Sequence, residues 1–332
     1  MLPDQSSHRL PDRPDGPPAA GPNGRLIDLR AGAYEARIAT CGATLVHLRR
    51  AGRDLVMPFD AESRLPGGWQ GKTLVPWPNR VAGARYSCGG AQYLLACNEP
   101  ETGSALHGLV GWSDFRIAER TGRELVLDLL LPASYGYPWS LEVAVRFSLD
   151  DRAGLGVTIT TTNLGGALPS SGVPGAPQRG GGAVPAPYGA SFHPYLTRSV
   201  PIDQCTLSVP ADRVLDVDPQ TLAPLGERSV EGTAWDWREG RAIGRTSTDH
   251  AYLGLPEGSW QVRLSGGSGG RTVVMEAGAP WVQLYTAEDL GRRAVAVEPM
   301  TCPPDALNSG RDLIALEEGE SHALTMALRE ED

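Results

Sequence analysis

An all-β fold, a sandwich or a barrel, is predicted by three features of this chain: short runs in which apolar and polar residues alternate, Gly/Pro punctuation between them, and almost no helical periodicity. Gly (41) and Pro (28) together make up about a fifth of the 332 residues, more than long helices tolerate. The alternation opens at residues 35–39 (EARIA) and 44–48 (TLVHL) and continues at 124–131, 141–147 and 155–162. The C-terminal third adds 260–264, 271–276, 281–285, 294–298 and 323–328, with turn residues between nearly all of them. Helical content is expected only within 305–316.

Apolar residues form 41% of the chain and charged residues 21%, enough to bury a sizeable core. Length alone suggests about two domains. The same alternation flanks the Gly/Pro/Ala-rich stretch 165–189, however, so that stretch is read as a long surface loop inside one domain. Residues 1–24 hold six prolines and little that is apolar, and are expected to be a disordered leader before a single domain at 25–332.

Thirty basic residues against 39 acidic ones give a formal charge of −9, with no basic block. Nucleic-acid and anionic-membrane partners are therefore not expected. No apolar run approaches about 18 residues, and the N-terminus lacks a hydrophobic stretch, so a cytoplasmic protein is expected. The five cysteines are widely spaced without a C-x-x-C, which argues against disulfides and structural zinc. Lys72 is the one lysine, a poor basis for Schiff-base chemistry.

Two look-alike motifs carry no chemistry. Segment 66–73 (PGGWQGKT) mimics a P-loop but has Pro66 where the first glycine is required. Segment 266–270 (GGSGG) matches G-x-S-x-G but joins two predicted strands, so a hairpin turn is expected. The sequence shows no H-E-x-x-H and no two-histidine, one-carboxylate cluster, so no metal is expected.

The remaining candidates are polar residues in rigid, apolar surroundings. Asn79 and Arg80 follow the stiff segment 74–78 (LVPWP), though Arg80 also reads as a surface arginine. His107 precedes Gly108, which permits close backbone approach, though it also reads as a core histidine. Pro194 restricts the backbone at His193. Glu298 ends the apolar strand 294–297, where a carboxylate is a candidate for a shifted pKa and general-base work.

In order, the segments 76–86 (PWPNRVAGARY), Asn98, 105–109 (ALHGL), 136–139 (GYPW), Thr162-Asn163, 193–195 (HPY), Asp249 and 297–301 (VEPMT) resemble the aldose 1-epimerase (galactose mutarotase) family. The resemblance runs from about residue 25 to the C-terminus. It implies a large antiparallel β-supersandwich with few short helices and an open sugar cleft, and neither cofactor nor metal. It further implies Glu298 as general base, His193 as general acid, and Arg80, His107, Asp249 and Asn79 as substrate-binding residues. A small-molecule aldose is the expected partner of a monomer or homodimer. Where the family has an aromatic after His-Pro-Tyr, this chain has Leu196. Trp77, Trp235 and Trp237 are candidate stacking surfaces for a sugar, or core. Two other readings stay open: an epimerase for hexose 6-phosphates, using Arg85, Arg198 or Arg245, and a non-catalytic sugar-binding protein on the same fold.

Overall fold

Strand alternation builds two large antiparallel sheets in the computed structural model, which describes residues 21–166, 184–267 and 270–331. The first sheet has nine strands. Its centre is Trp139–Asp150 paired with Gly154–Gly166, which pairs in turn with Ser321–Glu331. Every second residue of Trp139–Asp150 is buried, as period-two geometry requires for a sheet with one face in the core.

The second sheet orders its strands Pro224–Ser229, Arg213–Val217, Asp249–Leu253, Trp281–Tyr285, Val295–Met300, Ser191–Phe192 and Thr73–Leu74, with Tyr195–Leu196 also pairing with Val295–Met300. One apolar cluster joins the two sheets; Phe147 from the first meets Phe192 from the second edge to face, ring centres 6.2 Å apart. The all-β sandwich is thus what forms.

Val295–Met300 is buried along its whole length. Val295 and Val297 point into the main core, while Ala296 and Met300 belong to separate small clusters. Alternation therefore puts Glu298 on the face turned away from the main core. The strand does not stop at Glu298, as expected, but continues to Met300 through pairing with Trp281–Tyr285.

Other expectations shift in detail. Segment 305–316 gives one helical turn, Ala306–Ser309, and then a strand, Ile314–Leu316, paired with Ala186–Tyr188. The ends of the expected loop 165–189 are therefore strand; residues 167–183 lie outside the described residues. Of the expected leader, 1–20 lie outside them too, but Asn23 is buried and its side-chain amide donates to the carbonyls of Ala61 and Arg64. The turn expected at 266–270 joins the antiparallel neighbours Trp260–Ser265 and Thr272–Ala277; residues 268 and 269 are outside the described set. Among the described residues, no helix is long and apolar enough to cross a membrane.

Candidate active site

Three adjacent strands of the second sheet align polar residues on one face. Asp249 lies opposite Tyr285, and Gln283 opposite Glu298. The fourth contribution comes where the chain breaks between Ser191–Phe192 and Tyr195–Leu196. There His193 donates its N–H to the Lys72 carbonyl (3.0 Å) and accepts the Gly71 N–H (2.8 Å), while Val297 N–H is received by the Pro194 carbonyl (3.1 Å). These backbone bonds fix the main chain at His193 beside the neighbouring strand, and the imidazole stacks on Tyr195. His193 Nε2 lies 3.2 Å from Glu298 Oε1, both side chains almost fully buried.

The opposite wall is a two-stranded ribbon, Arg80–Val81 with Ala105–Leu106. Asn79 and His107 flank it, both left-handed (φ 54° and 62°). The His107 N–H donates to the Asn79 carbonyl (2.8 Å), and the Asn79 N–H donates to His107 Nδ1 (3.1 Å). Gly108 follows at φ 72°, and a Cβ there would stand 2.2 Å from the Val75 carbonyl oxygen. Gly108→Ala is accordingly expected to cost about 3 kcal/mol or more, combining the left-handed strain with a backbone clash. Urea melts read this, and a loss below about 1 kcal/mol would show that the loop relaxes freely.

Arg80 is held by a two-pronged ion pair with Glu99 (2.7 and 2.8 Å), and its Nη2 lies 4.0 Å from Asp249. Asn79 Oδ1 accepts from the Arg80 N–H (2.9 Å) and Nη1 (3.3 Å). The Asn79 side-chain oxygen thus positions Arg80, and Asn79 also lines the cleft. Gln283 Nε2 donates to Asp249 Oδ1 (2.6 Å).

Electrostatics favour neutral forms at the centre. Burial pushes the His193 imidazole down to about 3 and holds His107 well below its ordinary value, with nearby Arg80 adding to both. Burial, and then the Asp249 charge, raise Glu298 well above the usual carboxylate range against the pull of Arg80. Asp249 is raised by burial as well, again opposed by Arg80. The His193–Glu298 pair thus holds one transferable proton at net zero charge. Glu298 Oε2 and His193 Nδ1 are buried without a hydrogen-bond partner, an arrangement that costs free energy.

All six residues singled out in the sequence line one cleft of about 220 Å³. Two larger depressions, of about 750 and 650 Å³, contain no acid–base pair of this kind. Sequence reasoning missed Trp69, Glu99, Tyr195, Gln283, Tyr285 and Asp289, which also line the cleft. Gln283 was visible as the one strongly polar residue in the apolar run 281–285. Trp69 lay hidden in the P-loop look-alike. Of the proposed stacking residues, Trp77 and Trp237 are core, and Trp235 packs on His250; none lines the cleft. Leu196 is core, and Tyr195 itself stacks on His193 (5.1 Å, 14° between planes). Lys72 is buried over the Trp112 ring, where burial lowers it to about 8, with Nζ donating to the Cys41 carbonyl.

One expectation is overturned. The fold does assemble a two-histidine, one-carboxylate set, since the ligand atoms of His107, His193 and Glu298 lie within 4.8 Å of one another. The three come from segments too far apart for any spacing rule to reveal. A metal-bound histidine donates its second ring N–H to an acceptor. His107 shows the reverse, because Nδ1 is occupied by the Asn79 N–H and Nε2 keeps the proton. The set does not fit a metal.

A two-sheet antiparallel sandwich of this kind is the galactose mutarotase-like architecture. The crystal structure of an aldose epimerase homologue from C. elegans superposes with a TM-score of 0.77 at 19% identity, covering 92% of this chain and 98% of that one. This protein belongs to the aldose 1-epimerase family, whose model matches residues 25–171 and 179–329. The uncharacterized protein YihR of Escherichia coli K12 is 37% identical over 307 residues, 91% of this chain and 92% of YihR. The galactose mutarotase of Mus musculus is 27% identical over 303 residues, 82% of this chain and 80% of that protein.

Proposed function

We propose that this protein is an aldose 1-epimerase that interconverts the α and β anomers of a hexose by general acid–base catalysis. The single observation that carries the reading is the buried His193–Glu298 pair, 3.2 Å apart, each with an unpartnered polar atom. Two positioned proton-transfer groups, each contributing roughly 10²–10⁴-fold, suffice for fast anomerisation.

In this reading the one proton of the neutral resting pair first shifts from Glu298 to His193 across their 3.2 Å contact, and the pair acts from the resulting carboxylate–imidazolium form. Glu298 takes the proton from the anomeric hydroxyl, a C=O bond forms at the anomeric carbon, and its bond to the ring oxygen breaks. His193 gives its proton to that ring oxygen. The aldehyde turns about its first carbon–carbon bond, and the same transfers run backwards on the other face. Arg80, His107 and Asp249 hold hydroxyls in place, and His107, with its proton on Nε2, serves as a neutral donor. Trp69, its ring 5.0 Å from that of His107, offers an apolar wall.

Nothing in the cleft favours a sugar phosphate. Arg80 is the one cation lining it among the described residues and is engaged by Glu99. Arg85, Arg198 and Arg245 do not line it. Polarimetry on fresh α-anomers tests the reading: free glucose or galactose is expected to equilibrate at least about tenfold faster with the enzyme than the 6-phosphates do. The reverse preference would install the phosphate reading, and saturable sugar binding without acceleration would make this a binding protein.

A further inference from the structure

We propose that Asp289 is a specificity-determining residue that accepts a hydrogen bond from a hydroxyl on the side of the sugar ring remote from the anomeric carbon. This rests on the epimerase reading of the same cleft. Asp289 lines the cleft, and one carboxylate oxygen, Oδ1, accepts from the Tyr285 hydroxyl (2.5 Å). That bond orients the carboxylate and leaves Oδ2 for a ligand.

The turn that carries Asp289, Glu288–Leu290, is rigidly built. It is bracketed by left-handed Ala287 (φ 52°) and Gly291 (φ 70°), with Arg292 also left-handed (φ 53°). Backbone strain of this kind persists only where the surroundings over-determine it, as ligand clamps do. Here Glu288 accepts from Thr286 Oγ1 (2.6 Å) and Arg292 Nη1 (2.7 Å), while Arg292 also bonds Asp203 and the carbonyls of Gly244 and Thr246. Across the cleft mouth stands the turn Gly67–Trp69. A Cβ on Gly68 would lie 3.5 Å from Asp289 Oδ2 and 2.6 Å from the Tyr195 hydroxyl, so the two turns close one end of the cleft.

Strand geometry places that end relative to the chemistry. Gln283 is paired with Glu298, and Tyr285 lies two residues further on the same face. Two residues of strand span about 7 Å, comparable with the reach of a pyranose measured across its opposed hydroxyls. With the anomeric carbon at His193 and Glu298, the Tyr285–Asp289 pair falls beside the hydroxyls on the third and fourth carbons. The other carboxylate on that turn, Glu288, is engaged by Thr286 and Arg292 and does not line the cleft, and a site built to accept from a hydroxyl rejects analogues that lack it.

Asp289→Ala and Asp289→Asn are to be compared with wild type by polarimetry on glucose, 3-deoxyglucose and 4-deoxyglucose, with sugar binding followed in parallel by calorimetry. On glucose, Asp289→Ala is expected to raise KM about tenfold with kcat within about twofold, and Asp289→Asn, which keeps an acceptor, to recover part of the loss. One deoxysugar is expected to be a poor substrate for wild type and indifferent to Asp289→Ala. A fall in kcat at constant KM, or an equal effect on all three sugars, would overturn the assignment. Wild type that binds glucose without turning it over sinks the epimerase reading alone, since calorimetry still reports the hydroxyl dependence.

Discussion

Glu298→Gln is expected to fold and to lose catalysed mutarotation by about 10²–10⁴-fold, and His193→Asn to lose a comparable factor. The first substitution leaves the shape of the site intact. Gln283, the cross-strand neighbour, offers a buried Oε1 without a partner that the introduced amide can use. Glu298 is raised well above its ordinary value in the fold, so at neutral pH the unfolded chain ionises it more readily than the native state does. Burying that group therefore costs stability, and a neutral amide removes the cost. The melting temperature of Glu298→Gln should equal or exceed that of wild type while activity collapses. Optical rotation of fresh α-glucose reads the activity; either variant retaining the wild-type rate would mean that the proton-transfer roles are misassigned.

The second large effect is on stability and lies far from the cleft. Glu330 is fully buried at its side chain, with Arg53 at 2.8 Å, Arg198 at 3.1 Å, and Arg50 and Arg271 at 3.5 Å. Removing one partner from a buried charge set strands the others, so Glu330→Gln should destabilise the fold by about 2–4 kcal/mol at pH 7. Burial by itself would raise the Glu330 carboxyl, but hydrogen bonds from Arg53 and Arg198 outweigh it and hold the group below its ordinary value. A depressed carboxyl stabilises fully above its unfolded pKa, near 4.3, and loses that contribution as pH falls through the lower folded value. Urea titrations of wild type and Glu330→Gln should thus differ most at neutral pH and converge as the pH falls below the unfolded carboxyl pKa of about 4.3 and through the lower folded value. A difference under about 0.5 kcal/mol at pH 7 would show that these ion pairs are solvated and weak.

Much of the architecture was legible because strands advertise themselves locally. The run 141–147 alternates cleanly, and its strand extends three residues beyond at one end and two at the other by pairing with Gly154–Gly166. The run 294–298 was readable as a buried strand from its Ala/Val content. Segment 305–316 was less legible, since its strand Ile314–Leu316 exists only by pairing with Ala186–Tyr188, far away in sequence. The site residues were legible where rigid neighbours mark them, as Pro194 marks His193 and Gly108 marks His107. Asp289 carries no such mark. Its turn is ordinary in sequence, and only the approach of Gly67–Trp69 makes it part of a cleft.

Side-chain alternation, turn residues and the order of the polar segments are properties of the chain alone. They determine an all-β fold and mark Asn79, Arg80, His107, His193 and Glu298, while Asp249 joins the list through the family resemblance alone; all six share one cleft. Which strands become neighbours is decided by long-range pairing, because period two reports the face a residue occupies and says nothing of its partner strand. That pairing sets Glu298 against His193, brings His107 to both, and turns the Asn79 side-chain oxygen to Arg80. It also sets the protonation of the pair, since desolvation depends on what surrounds a group in space and not on its neighbours along the backbone.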